Sequence, residues 1–327
     1  MTDINAAASV FVNKGGMDHA ALLDWLNTGD AAIRYQTRRD LQGVDDPALK
    51  ARIATDGWGK QFLDHRNADG TWGRDFYQPK WTSTHYTLLT LCNLGFPSDH
   101  AKIRKTVAEI APMMIAGDGG IGTSRGLNKS DVCVNGMYLN YASHFRAPQS
   151  QLTSVVDFLL AERMHDGGFN CMRNRSGAHH SSVHSTLSVL EGIKSYLKNG
   201  YQHQNAALQE AAKTAQEFLL IHRLYKSDRT GRIIHPAFLT FAVPAYWRYN
   251  ILRALDYFQS VGHPYDTRMA DALDEIIKKR TRDGQWRRMA AQPGQVFFTM
   301  EAPRKPSRWV TLMAMRVLQA YPQAAMG

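Results

Sequence analysis

The chain has 327 residues and a formal net charge of +10, with 44% hydrophobic and 21% charged residues. Such a composition is typical of a globular protein and excludes disordered, collagen-like and coiled-coil chains. The cations are scattered and form no run of five or six like charges, so we expect no nucleic-acid binding, and an anionic small molecule accounts for the positive charge equally well.

The first residues carry no recognisable targeting signal. The stretch "MTDINAAASVFVNKGG" has a short apolar run, with Asp3 and no cation ahead of it, unlike a secretory signal. No apolar run in the sequence approaches the length that spans a bilayer. Three scattered cysteines do not suggest a disulfide framework, so we expect a cytoplasmic protein. We divide the chain into an N-terminal segment, 1–19, and one domain, 20–327.

A short phrase of Asp, Gly and an apolar or aromatic residue recurs along the chain. It begins at Asp69, Asp118 and Asp166, so successive starts are 49 and 48 residues apart, and it returns at Asp283. The longer gap before the last copy leaves room for a degenerate one, which we place at Ser227–Ile233. Glycine suits the turn because it adopts positive φ without steric cost.

Amphipathic stretches flank the phrase in each repeat. Apolar residues recur at helical spacing before it, as in "VVDFLLAERM", and after it, as in "SVHSTLSVLEGIKSYL". Each unit is therefore predicted to be a helix, a turn, a loop and a second helix, with little or no sheet. Because one helix pair cannot bury both of its faces, consecutive pairs must stack as an open solenoid or as a closed ring. The long period and the aromatic residue after glycine favour a closed double ring.

These repeats resemble a known superfamily. The phrases "DGTWG", "DGGFNC" and "DGQW" are similar to the Gly–aromatic repeats of squalene cyclases and protein prenyltransferases, and "TGDAAIRYQTRRDLQG" and "YQPKWTSTHYTLLTL" resemble bacterial chains of this superfamily. The resemblance covers most of residues 20–322. It implies an all-α fold, an α/α toroid whose double ring of about five to six helix pairs surrounds an apolar central cavity. Since one fold hosts several chemistries, the reaction depends on the site residues.

Side chains that can bind metal stand at the start of the predicted second helices. Aligned by apolar pattern, His85, Cys133 and His184 take the same position in three repeats. Protein prenyltransferases hold zinc with an Asp-x-Cys pair and a histidine of the next such helix, so the resemblance implies that Asp131, Cys133 and His184 bind zinc. Three ligands would leave a position open for water or a substrate thiol. The alternatives are that Asp131 is a helix N-cap and Cys133 a small buried residue.

Further candidates for catalysis lie close to these tips. By the same resemblance, Arg125 would face a diphosphate or another anion, whereas Lys129, a candidate for substrate binding, stands one residue out of step with the family's lysine. His85 is predicted to serve as fourth ligand or as acid/base, and His180, in a loop before a tip, to support the catalytic group.

Aromatic and basic residues of the last two repeats are predicted to bind substrate. His235, Trp247 and Arg248 would form a wall of the cavity, and Trp309 occupies the corresponding tip of the last repeat. Aromatic faces stabilise cationic intermediates. The alternative for all four is helix packing and surface exposure.

The sequence lacks the Asp-x-Asp-Asp motif of cyclases that protonate an alkene, which disfavours proton-started polyene cyclisation. We therefore predict a zinc-dependent enzyme that acts on a small, anionic or partly apolar substrate by transfer to a thiol, or by hydrolysis or elimination. One alternative is a metal-free isoprenoid cyclase or isomerase with His85 or His184 as acid/base. Another is a non-catalytic toroid that binds a ligand or a protein. The sequence does not indicate the oligomeric state.

Overall fold

Paired α-helices make up most of the structure, a computed structural model that describes residues 18–289 and 292–325. The predicted N-terminal segment 1–19 lies outside these residues except for its last two. Short polar side chains start several helices: Asp18 accepts the Ala21 N–H, and Asp30 accepts the Ala32 N–H. In the described ranges no strand forms, and three isolated bridges are the only β pairing.

In the described ranges, six outer helices alternate with six inner ones. The outer helices keep one exposed face and are α1 (His19–Asn27), α4 (Gly57–Asp64), α6 (Ala101–Met114), α8 (Gln149–Ala161), α11 (Asn205–Ile221) and α13 (Ala270–Lys278). The inner helices are buried around most of their circumference and are α2 (Ala31–Leu41), α5 (Thr84–Asn93), α7 (Val132–His144), α10 (Val183–Lys198), α12 (Ile251–Ser260) and α14 (Arg308–Ala320). Short helices complete the fold: α3 (Pro47–Arg52), α9 (Met172–Ser176) and 3₁₀ turns at Lys80–Thr82, Pro236–Leu239, Thr267–Met269 and Pro322–Ala325.

The inner helices close into a ring. Each is joined to the next by a side-chain bond: Gln36 to Asn93, Cys92 to Asn140, Ser195 to Asn140, Arg253 to Glu191, Arg316 to Asp256 and Arg316 to Asp40. The last of these bonds connects α14 back to α2, so the ring closes on itself. The predicted all-α fold, an α/α toroid of five to six helix pairs, is thereby confirmed with six pairs.

Two glycines set the tightest crossing of the ring, between α7 and α10. A Cβ atom on Gly136 would lie 2.6 Å from the Ser188 carbonyl oxygen, and one on Gly192 would lie 2.5 Å from the Gly136 carbonyl oxygen. No real Cβ contact is that short, so only glycine allows the two backbones to approach this closely.

The repeated phrase forms the turn that leads toward each inner helix. The first glycine of each copy adopts positive φ, from 92° at Gly167 to 67° at Gly231 in the degenerate copy, as predicted. A bridge between Lys226 and Ile233 closes that copy. In the first and last copies the indole N–H donates to a carbonyl of the preceding outer helix, with both bonds 2.7 Å: Trp72 to Phe62 and Trp286 to Ile276.

In four of the six inner helices, a polar side chain accepts the backbone N–H of the phrase and fixes the true register of the repeats. The four bonds run from Trp72 to Thr84, Ile121 to Asn135, Phe169 to Thr186 and Trp286 to Thr311. By this register Cys133, His184 and Trp309 are equivalent, whereas His85 lies three positions deeper. Alignment of the repeats by their apolar pattern put His85 in the wrong register. The reason is that the phrase residue and its hydrogen-bond partner on the inner helix are 12 residues apart in one repeat and 25 in another.

Among the described residues, no helix combines the length and the apolar character required to cross a membrane.

Candidate functional site

A cavity of about 1560 Å³ occupies the centre of the ring. All six inner helices line it, mostly with residues of their C-terminal halves, such as Asn140 and His144 of α7. Loops that follow inner helices, including Gly43 and Ser98, also take part. The resemblance implied an apolar cavity, but charged side chains of α2, α10, α12 and α14 stand in its wall.

Arg316 of α14 lies between two carboxylates of this wall. Its guanidinium donates to Asp40 of α2 at 2.8 Å and to Asp256 of α12 at 2.9 Å, and also to the Gln36 amide oxygen at 3.1 Å. Its side chain is 12% exposed. Because a buried guanidinium requires partners for its fixed donors, these bonds hold three helices in one arrangement around the cavity.

The two carboxylates of this cluster differ in acidity. Burial raises the pKa of Asp256, and the opposing effects of Arg316 and Lys194 do not cancel it. Burial also acts on Asp40, but Arg39 and Arg316 outweigh it, so the pKa of Asp40 is lowered. The physical reason is that Asp40 has a second guanidinium, since Arg39 donates to both of its oxygens at 2.5 and 2.8 Å. Because their surroundings move the two pKa values apart, Asp256 is the more readily protonated of the two groups and Asp40 the more readily ionised.

A second ion pair extends the charged wall. Arg253 of α12 donates to both oxygens of Glu191 of α10, at 2.8 and 2.6 Å. One turn along α10, the Lys194 ammonium donates to Ser260 at 3.1 Å, and burial lowers its pKa although Glu191 and Asp256 oppose the effect. Bidentate pairing keeps Arg253 fixed, whereas an ammonium bound to a neutral hydroxyl remains available to an anion.

Two more lysines add positive charge to the lining. Lys198 is on the last turn of α10, and Lys50 of α3 lies over the Tyr35 ring at 5.8 Å. In the part of the chain that the structure describes, neither ammonium has a carboxylate within ion-pair distance. Together with Lys194, they give the cavity the capacity to bind an anionic group.

Aromatic residues form the other wall. The segment from Phe241 to Tyr246 enters the cavity, and the Tyr246 ring stacks on Trp81 with centroids 4.3 Å apart. Trp309 also lines the cavity and stacks on Trp58 at 6.0 Å. The cavity therefore offers an apolar surface in addition to its charged side chains.

Among the described residues, Trp309 is the one predicted site residue that lines this cavity. The other predicted residues lie at or near the N-terminal ends of inner helices or in the loops before them, which we call the turn end: His85, Arg125, Lys129, Asp131, Cys133, His180, His184, His235, Trp247 and Arg248. The structure brings some of these together and separates others.

His184 joins the predicted aromatic group. Its ring lies 5.2 Å from Trp247, and Arg248 lies over the same indole at 4.9 Å. His235 approaches this group through Phe238, but its Nδ1 accepts the Ala237 N–H and caps the 3₁₀ turn at Pro236–Leu239. Burial, with the nearby Arg253 and Arg248, lowers the pKa of His184 to about 4.

The three predicted zinc ligands do not converge. Across residues 18–289 and 292–325, no three His, Cys, Asp or Glu side chains form a group able to hold a metal ion. His184 Nδ1 accepts the Tyr249 N–H at 2.8 Å, so the neutral ring carries its proton on Nε2 and offers no free lone pair to a metal. This arrangement does not fit zinc. Zinc dependence stays a prediction from the resemblance.

Cys133 instead contacts Cys171, a residue to which the sequence assigned no role. The Cys133 N–H donates to Cys171 Sγ at 3.0 Å, and the Ser185 hydroxyl donates to the same sulfur at 3.2 Å. The side chain of Cys133 also hydrogen-bonds to Cys171 and is the main cause of a lowered Cys171 pKa, against the effect of burial. Asp131 is the N-cap residue of α7.

His85 is fully buried and does not line the cavity. Its Nδ1 lies 3.3 Å from the Tyr141 hydroxyl, and the rings of Phe76 and Tyr86 pack on it. Burial lowers its pKa to about 3, so the ring is neutral at physiological pH.

The remaining predicted residues are on the surface. Arg125 and Lys129 are exposed, and Arg125 contacts the Met113 sulfur at 3.4 Å. His180 is exposed, with its ring 6.0 Å from His165. None of the three faces the cavity lining.

The charged wall of the cavity is the feature that was not predicted from the sequence. A signal was present, because Arg316 interrupts the apolar stretch "VTLMAMRVLQA", and Glu191, Lys194, Arg253 and Asp256 interrupt similar stretches. In a helix buried on most sides, a charge must face a cavity or a partner.

No protein-family model and no curated protein matches the chain. Among solved structures, it is similar to type II terpene cyclase MstE from Scytonema in its apo form, with 13% identity, a TM-score of 0.32 and coverage of 84% of this chain and 98% of that chain. Two variants of MstE in complex with geranylgeranyl dihydroxybenzoate, their substrate, match at 13% identity with TM-scores of 0.30 and 0.31 and cover 96–97% of those chains.

Proposed function

We propose that the protein is an enzyme that binds a small, anionic and partly apolar molecule in the central cavity and transfers a proton between it and Asp256. The observation that carries the proposal is the cluster of Asp256, Arg316 and Asp40 in the cavity wall. The expected reaction class is elimination or isomerisation, in which a positioned acid or base moves a proton at the substrate.

The acid–base assignment follows from the surroundings of the two carboxyls. Burial raises the pKa of Asp256, so this carboxyl holds its proton to a higher pH than an exposed aspartate does and is the candidate acid of the pair. Asp40, held between Arg39 and Arg316, stays ionised and orients Arg316. Arg316 then stabilises the carboxylate that Asp256 becomes once its proton has been transferred.

The substrate class follows from the rest of the lining. Lys194, Lys198 and Lys50 supply ammonium groups for a carboxylate or phosphate. Trp309 and Tyr246 supply the apolar surface for the remainder of the molecule. A wall with this many charges favours a polar ligand over a long isoprenoid chain, because burying an ionised side chain against hydrocarbon is unfavourable.

The test compares metabolite conversion by the wild type and by Asp256→Asn. Each protein is incubated with a small-molecule extract of cells, and the changes are followed by mass spectrometry. We expect the wild type to consume an anionic compound and Asp256→Asn to slow this by about 10²–10⁴-fold. Asp131→Asn, at the turn end, is the matched control and should keep the wild-type rate.

Three outcomes would contradict the proposal. Equal conversion by Asp256→Asn would remove its proposed role. Loss of conversion with a chelator and in Cys133→Ala, but not in Asp256→Asn, would favour the zinc reaction. Binding of an extract compound without any conversion would favour the non-catalytic toroid.

A further inference from the structure

Two of the three cysteines are in contact at the turn end, 38 residues apart in the chain. Cys133 is the second residue of α7, and Cys171 immediately precedes α9. Their side chains hydrogen-bond to each other, and no disulfide joins them. Both are partly exposed.

The Cys171 sulfur is held in a fixed position. The Cys133 N–H and the Ser185 hydroxyl both donate to it, at 3.0 and 3.2 Å. The Cys171 N–H in turn donates to the Ser185 oxygen at 3.1 Å, which closes a small ring of bonds between the residue and α10. A disulfide requires a specific separation and direction of the two Cβ–S bonds, and thiols already in contact approach it with little backbone movement.

We infer that Cys133 and Cys171 form a reversible dithiol–disulfide site whose reactant is a low-molecular-weight disulfide. The Cys171 sulfur attacks one sulfur of the small disulfide, forms a mixed disulfide and releases one small thiol. The Cys133 sulfur then attacks the Cys171 sulfur, forms the internal disulfide and releases the second small thiol. The two protons of the protein thiols end on the two released thiols, so the protein pair is oxidised and the small disulfide is reduced.

This site is independent of the cavity reaction. Cys133 and Cys171 do not line the cavity, and the bond would connect the start of α7 to the segment that precedes α10. Cys92, by contrast, lines the cavity and contacts Asn140 at 3.8 Å, with both other cysteines on different elements. It serves as an internal control thiol.

The experiment equilibrates the full chain in mixtures of oxidised and reduced glutathione of increasing ratio, followed by acid quenching and mass spectrometry. We expect the intact mass to fall by the mass of two hydrogen atoms. Digestion should give a cross-linked peptide pair that contains Cys133 and Cys171, and reduced glutathione should reverse the change fully. Cys92→Ser should keep the cross-link. Cys133→Ser should stop at a glutathione adduct on Cys171, because the second thiol is missing.

Two results would overturn the inference. One is a chain in which both thiols remain unlinked at the highest ratio of oxidised glutathione, yet are alkylated by iodoacetamide after denaturation. The other is a cross-link that involves Cys92 as often as Cys133. If Cys133→Ser does not fold, as judged by circular dichroism, Cys171→Ser replaces it and should leave Cys133 unmodified at ratios that link the wild type.

Discussion

The two ends of the inner ring differ in how they treat polar side chains. In the C-terminal halves of the inner helices, charged residues such as Arg316 and Asp256 face a large cavity and bind one another across helices. At the turn end, aromatic rings surround His85 and His184, and the phrase turns pack against the helix starts. A residue type suited to catalysis is therefore not evidence of a site unless the fold also gives it access to a ligand.

The largest expected effect is at the cavity end. Replacing Arg316 with Met takes the shared hydrogen-bond donor away from the buried Asp40 carboxylate and the Asp256 carboxyl. We therefore expect the free energy of unfolding to fall by about 3–5 kcal/mol. Urea unfolding measures this value. The triple variant with Asp40→Asn and Asp256→Asn added removes the charges and should recover most of the loss. A loss below 1 kcal/mol for Arg316→Met alone would mean that the cluster does not hold the ring together.

The turn end is expected to respond to loss of its indole anchors. Trp72→Phe and Trp286→Phe each remove an N–H donor from a buried carbonyl and leave a small void, which costs about 1–3 kcal/mol. Thermal and urea unfolding should give similar losses for the two variants, because their bonds are equivalent. Very different losses would contradict the repeat equivalence of the first and last phrases.

Buried histidines at the two ends predict an acid-sensitive stability. Burial lowers the pKa of His85 to about 3 at the turn end and that of His144 to about 4 beside the cavity. Below the unfolded value of about 6.5, the unfolded chain binds protons that the folded chain does not, so stability is lost as pH falls toward 4, by about 1.4 kcal/mol per pH unit for each histidine.

His85→Gln and His144→Gln test this dependence at each end. Each variant lacks one titrating ring, so the loss of stability between pH 6.5 and 4.5 should be smaller by about the contribution of one histidine. Urea unfolding midpoints at four pH values provide the measurement. An unchanged slope in His85→Gln would mean that this ring is protonated in the folded protein.

The smallest effect is expected from the exposed cations of the turn end. Arg125→Ala and Lys129→Ala should each change the free energy of unfolding by no more than about 0.5 kcal/mol, because both side chains are on the surface. Neither should alter conversion of the cavity substrate. A loss of conversion in Arg125→Ala alone would support the anion-binding role that the resemblance predicts for Arg125.

Much of the fold was predictable because it depends on local pattern. The phrase at Asp69 and its copies, the helical spacing of apolar residues and the degenerate copy at Ser227–Ile233 were all identified from the sequence, and the structure has a turn at each. The register of His85 was not identified from the sequence, because the loops between the phrase and the inner helix differ in length. Hydrogen bonds from Thr84 and its equivalents determine that register, and apolar pattern does not reveal them.

The candidate sites depend on contacts between distant parts of the chain. Arg316 binds Asp40 at a separation of 276 residues, and Cys133 meets Cys171 across 38. The sequence determined the repeats, the turns and the stacking of helix pairs, because these follow from periodic burial and from the backbone freedom of glycine, and it favoured a closed ring over an open solenoid. Only the tertiary structure decided which end of the ring opens into a cavity and which charges meet there, because closure of the ring places those residues side by side.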